Sequence, residues 1–355
     1  MGKFSSLSLW ILALSMCFST FAVAQKKNKK ADKHLKVVSL GFYNLENLFD
    51  TEDDTLINDE EFLPGGARAW TEARYNEKLA NMAYVISQVG IDHVKAGLSC
   101  LGVSEIENRK VLEDLVKKPS IADRNYQIVH YDSPDKRGVD VGFIYNPKHF
   151  QVLASRPIPV YNFEYGKRVF TRDILYIKGV LDLDTVHFMV NHWPSRGGGD
   201  RSIAFRNNCA KITRGVVDSL FTINENSKIF IMGDLNDDPT DESLKSYLQT
   251  EGNITNVRKT GLFNPYEDFF RRGQGSNAYR DTWSLFDQII ISKGVVNPKN
   301  DSYGFLKANI FNKEFLIQST GQYKGYPYRT FSGDSYQGGY SDHFPSYIYL
   351  SKAVD

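Results

Sequence analysis

The segment Lys228–Asp237 has the sequence KIFIMGDLND, and it decides what fold we expect for the chain. A short apolar run leads directly into Gly-Asp-Leu-Asn, and a run of this length bounded by turn-forming residues predicts a buried strand. Asp234 and Asn236 then stand at the end of that strand. Such polar residues, held at a strand end by a rigid core, are candidates for a functional site.

The same pattern of an apolar run followed by a polar cluster recurs three times earlier in the chain, before Asn44 in YNLEN, Glu105 in SEIE and His192 in NHWPSR. Near the C-terminus the order reverses, because Asp287 precedes QIIIS, and Asp342 and His343 precede PSYIYL. If these last strands run antiparallel to the earlier ones, all the clusters meet at one sheet edge. The sequence therefore predicts an acidic cleft lined by amides and imidazoles.

The net charge bears on the possible partners, and the length and the spread of the polar clusters bear on the number of domains. The 355 residues carry a formal net charge of +1, so no global field attracts nucleic acid or an anionic membrane. Single cores stop growing near ~250–300 residues, so the length would permit two domains. However, the polar clusters span nearly the whole chain and no linker-like stretch divides them. We therefore expect one catalytic domain over residues 35–352.

The N-terminus predicts export. Lys3 is followed by an apolar stretch and then by Ala22-Val23-Ala24, a small-x-small cleavage pattern. Residues 1–24 therefore read as a secretory signal peptide, and the lysine-rich residues 25–34 as a basic disordered linker. An uncleaved membrane anchor and a lipidated Cys17 are the alternatives. The expected location is periplasmic or secreted.

Periodicity predicts interleaved strands and helices. Helical spacing of apolar residues occurs over 72–89, after Glu105, and over 201–221. Strand patterns occur at 35–42, 96–104, 126–132, 139–145, 151–160, 173–183, 185–191, 285–292 and 344–350, whereas 250–280 is irregular. This order predicts an α/β fold with two mostly antiparallel sheets packed face to face and helices outside. Cys100 and Cys209 are expected to be buried hydrophobic residues without a disulfide.

The polar clusters offer ligands for a hard cation. Carboxylate and amide oxygens without thiolates suit Mg²⁺, or Mn²⁺, rather than zinc. Glu105 is the first candidate ligand, followed by Asn44 and Asp342. For any single acid the alternative is a turn former or a helix cap, which is a common use of Gly-Asp-x-Asn.

Histidines and arginines complete the candidate site. Asp287 could hold the imidazole of His343 in one tautomer, and His192 could reach a phosphate oxygen or a leaving group. Four arginines near the expected site loops could clamp phosphate or could be solvated surface residues: Arg137, Arg172, Arg196 and Arg206.

The ordered set YNLEN, SEIE, NHWPSR, GDLN, WSLFDQ and SDHFP resembles that of the endonuclease/exonuclease/phosphatase family, over residues 35 to 350. That family includes pancreatic-type deoxyribonuclease, abasic-site endonucleases, bacterial sphingomyelinases and inositol-polyphosphate phosphatases. The resemblance implies a four-layered α-β-β-α sandwich and metal-dependent phosphoester hydrolysis.

The resemblance also implies roles for individual residues. Glu105 would bind the metal with support from Asn44, and Asp234 would orient or deprotonate the attacking water. Asn236 would hold that water or a phosphate oxygen. His343, oriented by Asp287, would contact the scissile phosphate, and His192 would stabilise the departing oxygen. Which histidine acts as acid or base stays open.

Two positions depart from the abasic-site enzymes. Ser104 precedes Glu105 where Gln is common, and His192 stands where those enzymes carry Tyr. The second departure favours deoxyribonuclease-like or sphingomyelinase-like members of the family.

The leading hypothesis is an exported, Mg²⁺-dependent phosphodiesterase acting on nucleic acid, as a monomer without an obligate protein partner. The alternatives are a phospholipid or sphingomyelin phosphodiesterase, a phosphatase acting on a soluble phosphoester, and a catalytically silent binding module. The aromatic segment 263–270, FNPYEDFF, is a candidate lipid-contacting or base-stacking loop, or part of the core. The near-neutral charge weakens the nuclease hypothesis.

Overall fold

The computed structural model describes residues 34–298 and 302–354, which belong to a single structural unit starting at His34. Its strands are β1 (His34–Leu48), β2 (Leu98–Ile106), β3 (Gln127–His130), β4 (Asp140–Tyr145), β5 (Phe150–Ile158), β6 (Asn162–Glu164), β7 (Lys167–Val169), β8 (Ile174–Leu181), β9 (Asp184–His192), β10 (Lys228–Asp234), β11 (Thr250–Glu251), β12 (Leu262–Phe263), β13 (Asn277–Tyr279), β14 (Thr282–Ser284), β15 (Asp287–Ser292), β16 (Gly304–Ile310), β17 (Phe331–Ser332), β18 (Ser335–Tyr336) and β19 (Ser346–Val354). Its α-helices are α1 (Glu72–Gln88), α2 (Arg109–Val116), α3 (Asp200–Ile223), α4 (Tyr266–Arg271) and α5 (Lys293–Val296).

The larger strands form two sheets. The first has the order β16-β19-β1-β2-β4-β3, and the second has the order β11-β12-β15-β10-β9-β8-β5. Most neighbouring strands are antiparallel, but three pairs are parallel: β1 with β2, β9 with β10, and β11 with β12. The C-terminal strands run opposite to their partners, because β15 is antiparallel to β10 and β19 is antiparallel to β1. The predicted reversal of direction is therefore present.

Apolar contacts build four layers. One buried cluster joins the inner faces of the two sheets and includes Phe42, Phe143, Phe188 and Phe230. A second cluster packs α1 and α2 against the outer face of the first sheet. A third packs α3 against the outer face of the second sheet. The predicted α-β-β-α sandwich is confirmed.

Local signals set the helix ends. The side chain of Thr71 accepts a hydrogen bond from Arg74 N at the start of α1, and Asn108 caps α2 in the same way. At Gly102 a Cβ atom would lie 2.6 Å from Met232 Sδ on the facing sheet. A side chain at this position would therefore push the two sheets apart.

The C-terminal third differs from the sequence prediction. Strands β14, β16, β17 and β18 were not predicted, and the segment 250–280, which was expected to be irregular, contains β11, β12, β13 and α4. Phe263 and Tyr266 are buried among the apolar residues between the sheets, with Phe269 and Phe270 packed against them. This segment is part of the core, so it does not form an exposed lipid-contacting or base-stacking loop.

Cys100 and Cys209 are buried, as the sequence predicts, and neither forms a disulfide with another of the described residues. The predicted signal peptide lies outside the described residues, as does the predicted linker apart from His34, which begins β1. In the part of the chain that the structure describes, no helix combines the length and apolar character needed to cross a membrane.

Candidate active site

The strand directions bring the predicted residues to one edge of the sandwich. In the second sheet Asp234 pairs in register with His192 on one side and Asp287 on the other. In the first sheet Asn44 and Ser104 are paired on neighbouring strands, which places Asn44 next to Glu105. Residues far apart in the sequence therefore share one cleft because of strand register alone.

Asp234 links the two sheets at the centre of this cleft. Its Oδ2 accepts a hydrogen bond from Asn44 Nδ2 at 3.0 Å. The same oxygen lies 3.7 Å from His192 Nε2 and 3.9 Å from His343 Nε2. Glu105 Oε1 lies 3.8 Å from His192 Nε2. Glu105, Asp234 and both histidines can therefore act on one small group such as a phosphate.

Three residues of the site have left-handed backbone conformations, with φ of 47° at Glu46, 57° at Glu105 and 50° at Asn236. A residue other than glycine is uncommon there, and such strain concentrates at functional sites. Two backbone contacts support these conformations: Glu105 Oε2 accepts from Asn47 N at 3.0 Å, and Asp234 Oδ1 accepts from Asn236 N at 3.0 Å.

His343 is fixed and charged by its neighbours. Its Nδ1 lies 2.6 Å from Asp287 Oδ2, and Asp287 is fully buried. Burial alone would lower the pKa of His343, but the carboxylates of Asp287, Asp234 and Asp342 outweigh it and raise that pKa well above its usual value. These carboxylates therefore favour the protonated, positively charged form of the imidazole.

His192 has the opposite character. It is buried, and burial lowers its pKa well below the usual value, with further lowering from Arg172, Arg137 and His343. Its Nδ1 is buried and has no hydrogen-bond partner among the described residues. Two histidines with opposed pKa shifts in one cleft are typical of divided acid–base roles.

The carboxylates of the cleft fit a hard divalent cation. Burial first, and then the charges of Asp287 and Glu105, raise the pKa of Asp234 to about 7. Burial and the Asp342 carboxylate likewise raise the pKa of Glu46. Acids that oppose one another's ionisation in this way are stabilised by a cation among them, and oxygen donors suit Mg²⁺ or Mn²⁺. Glu105, Asn44 and Asp342 are thus chemically suited to hold it.

Three residues that we did not assign from the sequence contact this acidic group. Arg329 Nη2 donates to Asp342 Oδ2 at 3.0 Å, and its Nε donates to Glu46 Oε1 at 3.3 Å. Lys78 is buried, with its Nζ 3.8 Å from Glu46 Oε2. Glu46 stands in the YNLEN motif and was available to sequence reasoning. Arg329 and Lys78 lie in stretches with no comparable signal.

The arginines that were expected to clamp phosphate are placed differently. Arg137 is half exposed, with its Nη2 3.8 Å from Glu105 Oε1, so it can reach a substrate. Arg196 is bound by Asp238 at 3.0 Å and Asp241 at 2.6 Å at the rim. Arg206 is buried against Asp237 at 2.7 Å.

Arg172 is also buried, and its guanidinium is engaged within the protein. It donates to the carbonyl oxygens of His192 and Trp193 and to Asp135 Oδ2. Arg172 therefore fixes the end of β9. We no longer expect its guanidinium to contact phosphate. Asn236 Nδ2 also donates to Trp193 O, at 2.9 Å, which fixes the orientation of the amide and leaves its carbonyl oxygen and its second N–H for a water molecule or a phosphate oxygen.

A second group of potential metal ligands lies outside the cleft. Ligand atoms of His130, Asp132 and Asp140 lie within 4.8 Å of one another. His130 Nε2 is 2.9 Å from Asp140 Oδ2, and Asp140 Oδ1 accepts from Ser133 N at 2.8 Å. These contacts hold the loop that leads to Arg137, and we assign the group a structural role.

Known proteins share this fold. Residues 39–352 match the model of the Endonuclease/Exonuclease/phosphatase family. A protein of that family from Bacteroides thetaiotaomicron superposes with a TM-score of 0.55 at 14% identity, covering 91% of this chain and 97% of that one. A humanized TDP2 from D. rerio gives 0.52 at 13% identity, covering 88% and 98%. A mannosyl-6-phosphatase from Bacteroides thetaiotaomicron gives 0.51 at 14% identity, covering 88% and 99%. No curated protein matches the chain significantly.

The family match spans most of the chain, so the chain belongs to the Endonuclease/Exonuclease/phosphatase family. It is a phosphoric ester hydrolase of the divalent-metal-dependent type that defines this family.

Proposed function

We propose that the chain is an exported, Mg²⁺-dependent phosphodiesterase with nucleic acid as its favoured substrate. One observation carries the proposal: Glu105, Asp234, His192 and His343 meet within hydrogen-bonding or ion-pair reach around one small space. A binding module has no need for this combination of acids and imidazoles, so we do not favour a catalytically silent protein.

Glu105 holds the cation in this proposal, with Asn44 and Asp342 as the supporting ligands. When bound, Mg²⁺ neutralises charge on the phosphoryl oxygens and lowers the pKa of a water molecule. Asp234 accepts the proton of the attacking water, because its carboxylate lies between both histidines at the centre of the cleft. The carbonyl oxygen of Asn236 orients that water.

The two histidines act on the phosphate from different sides. His343, held by Asp287, places its Nε2 N–H against a phosphate oxygen and stabilises the charge that develops there. His192 lies at the end of β9, next to Glu105, and its Nε2 contacts the departing oxygen. Arg137 at the rim supplies a further donor to the phosphate.

A phosphatase acting on a small soluble phosphoester is the second candidate function. The net charge of +1 favours it, because binding to a phosphate backbone normally shows as a basic protein. The mannosyl-6-phosphatase with the same fold also makes it the leading alternative. A phospholipid or sphingomyelin substrate loses support, because the aromatic segment 263–270 packs into the core.

A substrate screen tests the proposal. Purified chain is incubated with DNA, RNA, sphingomyelin, phosphatidylinositol and sugar phosphates in Mg²⁺, Mn²⁺ or a chelator, with His343→Ala as the control. We expect cleavage of nucleic acid that the chelator abolishes and that His343→Ala lacks. Activity confined to sugar phosphates would establish the phosphatase, and activity confined to lipid would refute both candidates.

Export is the remaining part of the proposal and rests on the sequence of residues 1–24. Sequencing the mature N-terminus after expression in the source cell tests it. A new N-terminus at Gln25 supports cleavage after Ala24, whereas an intact Met1 on soluble cytoplasmic protein contradicts it.

A further inference from the structure

A cavity of about 370 Å³ opens next to the candidate active site. Asp342 and Arg329 form the wall that it shares with the site, and the remaining walls come from residues 278–281 and from two parts of the 318–327 loop, 322–323 and 326–327. Small-ligand sites have volumes of ~300–1,000 Å³, so the cavity suits a single compact group. A substituent on a phosphate bound beside Asp342 can therefore extend into it.

Three tyrosines contribute rings to a cavity wall that is otherwise mostly polar. Tyr279 is 68% exposed and Tyr323 is 40% exposed, although both are large aromatic residues. The ring of Tyr326 lies 5.8 Å from that of Tyr323. Arg280 lies over the Tyr279 ring, with its guanidinium carbon 5.2 Å from the ring centroid. Exposed rings beside a phosphate site provide stacking surfaces for a planar ligand.

The hairpin β13–β14 that carries Tyr279 is fixed to the catalytic residues. Asn277 Nδ2 donates to Asp342 O at 2.9 Å, and Asn277 forms a β-bridge with His343. Next to the hairpin, Ser276 Oγ donates to the Asp287 carboxylate at 2.5 Å. The stacking surface and the phosphate-contacting histidine therefore keep a constant separation.

The tip of this hairpin is held in a strained turn. Arg280 and Asp281 have φ of 48° and 61°, values that two-residue hairpin turns normally reserve for Asn and Gly. The hydroxyl of Tyr326 accepts from Asp281 N at 2.6 Å and donates to Asp281 Oδ1 at 2.7 Å. These bonds hold the turn against the 318–327 loop, so the cavity is preformed rather than made when a ligand binds.

The polar groups of the cavity suit the edge of a heterocycle. Arg280 and Gln322 supply donors, and Gln322 and Asp281 supply acceptors, around the exposed tyrosine rings. A lipid chain would leave these polar groups unpaired, and a sugar would use the flat faces less fully than a planar ring.

We propose that this cavity binds the nucleobase of a nucleotide whose phosphate lies in the active site, with the base stacked on Tyr279 or Tyr323. The inference rests on the proposed function, because it assigns the group attached to the phosphate that the site hydrolyses. Binding of the base in this cavity makes the enzyme selective for nucleotide esters over simple phosphoesters.

A binding experiment tests the cavity independently of turnover. Calorimetry compares adenosine 5′-monophosphate with ribose 5-phosphate, in Mg²⁺, on the full chain carrying His343→Ala to prevent hydrolysis. We expect the nucleotide to bind about tenfold more tightly, or better, as one base–aromatic stack allows. In the double variant Tyr279→Ala/Tyr323→Ala this preference for the nucleotide should fall below about threefold, because the base has lost the rings on which it stacks.

Matched variants separate stacking from damage to the fold. Tyr279→Phe/Tyr323→Phe keeps both rings and should keep the preference. Tyr165→Ala removes a tyrosine that is 97% exposed on the separate β6–β7 hairpin and should also keep it. Equal affinities for the two ligands, or a preference that survives Tyr279→Ala/Tyr323→Ala, would overturn the inference.

A parallel assay separates this inference from the proposed function. The unmodified chain is tested in Mg²⁺ with methyl p-nitrophenyl phosphate, which has no second ring to stack, and with thymidine 5′-p-nitrophenyl phosphate. We expect the nucleotide ester to be preferred about tenfold, or more, in kcat/KM. If neither ester is hydrolysed while the binding preference holds, the proposed function fails and the cavity assignment stands. If both are hydrolysed equally well, the cavity assignment fails alone.

Discussion

The imidazole Nδ1 of His343 and the Oδ2 atom of Asp287 lie 2.6 Å apart, although 56 positions separate the two residues in the chain. Asp287 is fully buried, and Ser276 Oγ donates to the same carboxylate oxygen at 2.5 Å. This arrangement fixes the ring, keeps the proton on Nδ1 and turns Nε2 toward Asp234. It is the base–orienter pairing that nucleophilic and hydrolytic sites share.

The first prediction concerns this pair. Asp287→Asn keeps the size of the side chain but removes its charge, so the imidazolium of His343 loses its main stabilising partner. We expect kcat to fall by about 10²-fold or more with a small change in KM, because the contact matters most as charge develops. Steady-state kinetics on a chromogenic phosphodiester measure both values. Asp218→Asn, at an exposed acid of α3 outside the cleft, is the control and should match the parent.

The second prediction concerns the proposed metal ligand. Glu105→Gln removes one carboxylate from the acidic cleft, which weakens cation binding and relieves repulsion on Asp234. Without metal we expect this variant to be at least as stable as the parent. Mg²⁺ should raise the melting temperature of the parent and not that of the variant, because a ligand stabilises only the state that binds it. Thermal unfolding with and without Mg²⁺ gives the answer, and equal shifts in both proteins would exclude Glu105 as a ligand.

The third prediction concerns the buried lysine beneath the site. Lys78 Nζ donates to Thr330 Oγ1 at 2.5 Å and lies 3.8 Å from Glu46 Oε2. Burial lowers the pKa of Lys78 to about 8, although Glu46, Asp342 and Glu105 act to raise it. Lys78→Met leaves Glu46 as a buried acid without this counter-charge, and we expect a loss of about 3–5 kcal/mol in the free energy of unfolding.

The double variant Lys78→Met/Glu46→Gln serves as the control for that loss. Removing both charges should restore only part of the stability, because Glu46 no longer needs the charge of Lys78 but Arg329 loses its contact with Glu46 Oε1. Urea unfolding of the parent, Lys78→Met, Glu46→Gln and the double variant gives the coupling energy. Strictly additive losses would show that Lys78 acts through packing and not through Glu46.

The fourth prediction concerns pH dependence away from the cleft. Burial, and then the charge of Lys178, lower the pKa of His187 to about 4 from its usual 6.5. Its Nδ1 lies 2.8 Å from the hydroxyl of Tyr176. Between these two pH values the unfolded chain binds a proton that the folded chain does not. The contribution of His187 to stability is therefore complete above pH 6.5 and is lost as the pH falls toward 4.

The measurement is the free energy of unfolding of the parent and of His187→Gln across that pH range. The difference between the two proteins should change in favour of the variant as the solution becomes more acidic. Shared acid-sensitive groups cancel in this difference. A difference that stays constant with pH would mean that His187 titrates alike in the folded and unfolded chains.

Much of the candidate site could be predicted because its residues stand at strand ends with clear apolar runs. The run before Asp234 and the run after Asp287 each define a strand, and strand register then places the two residues opposite each other. Only the assumption of antiparallel direction was needed to bring the C-terminal clusters to the same edge. Strand direction and register fix the positions of all the residues in a sheet relative to one another. A few strands that are clearly recognisable in the sequence are therefore enough to predict where the cleft lies.

The parts that could not be predicted depend on contacts between distant segments without periodic signals. Arg329 lies in a loop, and only folding brings it to Glu46, 283 positions away. Strand β16 is at an edge of its sheet, and its alternation is broken by a register shift between Phe305 and Lys307. Nothing in the sequence around Arg172 shows whether its guanidinium is buried and bonded within the protein, as the structure has it, or free to bind phosphate.

The most direct test of the account is the position of the cation. Crystals of the full chain soaked in Mn²⁺ would show the ion in an anomalous difference map. We predict a peak bonded to the carboxylate of Glu105, in the cleft that also contains Asn44 and Asp342. A peak at His130, Asp132 and Asp140 with none at Glu105 would contradict the central claim that these distant residues converge on one catalytic metal ion.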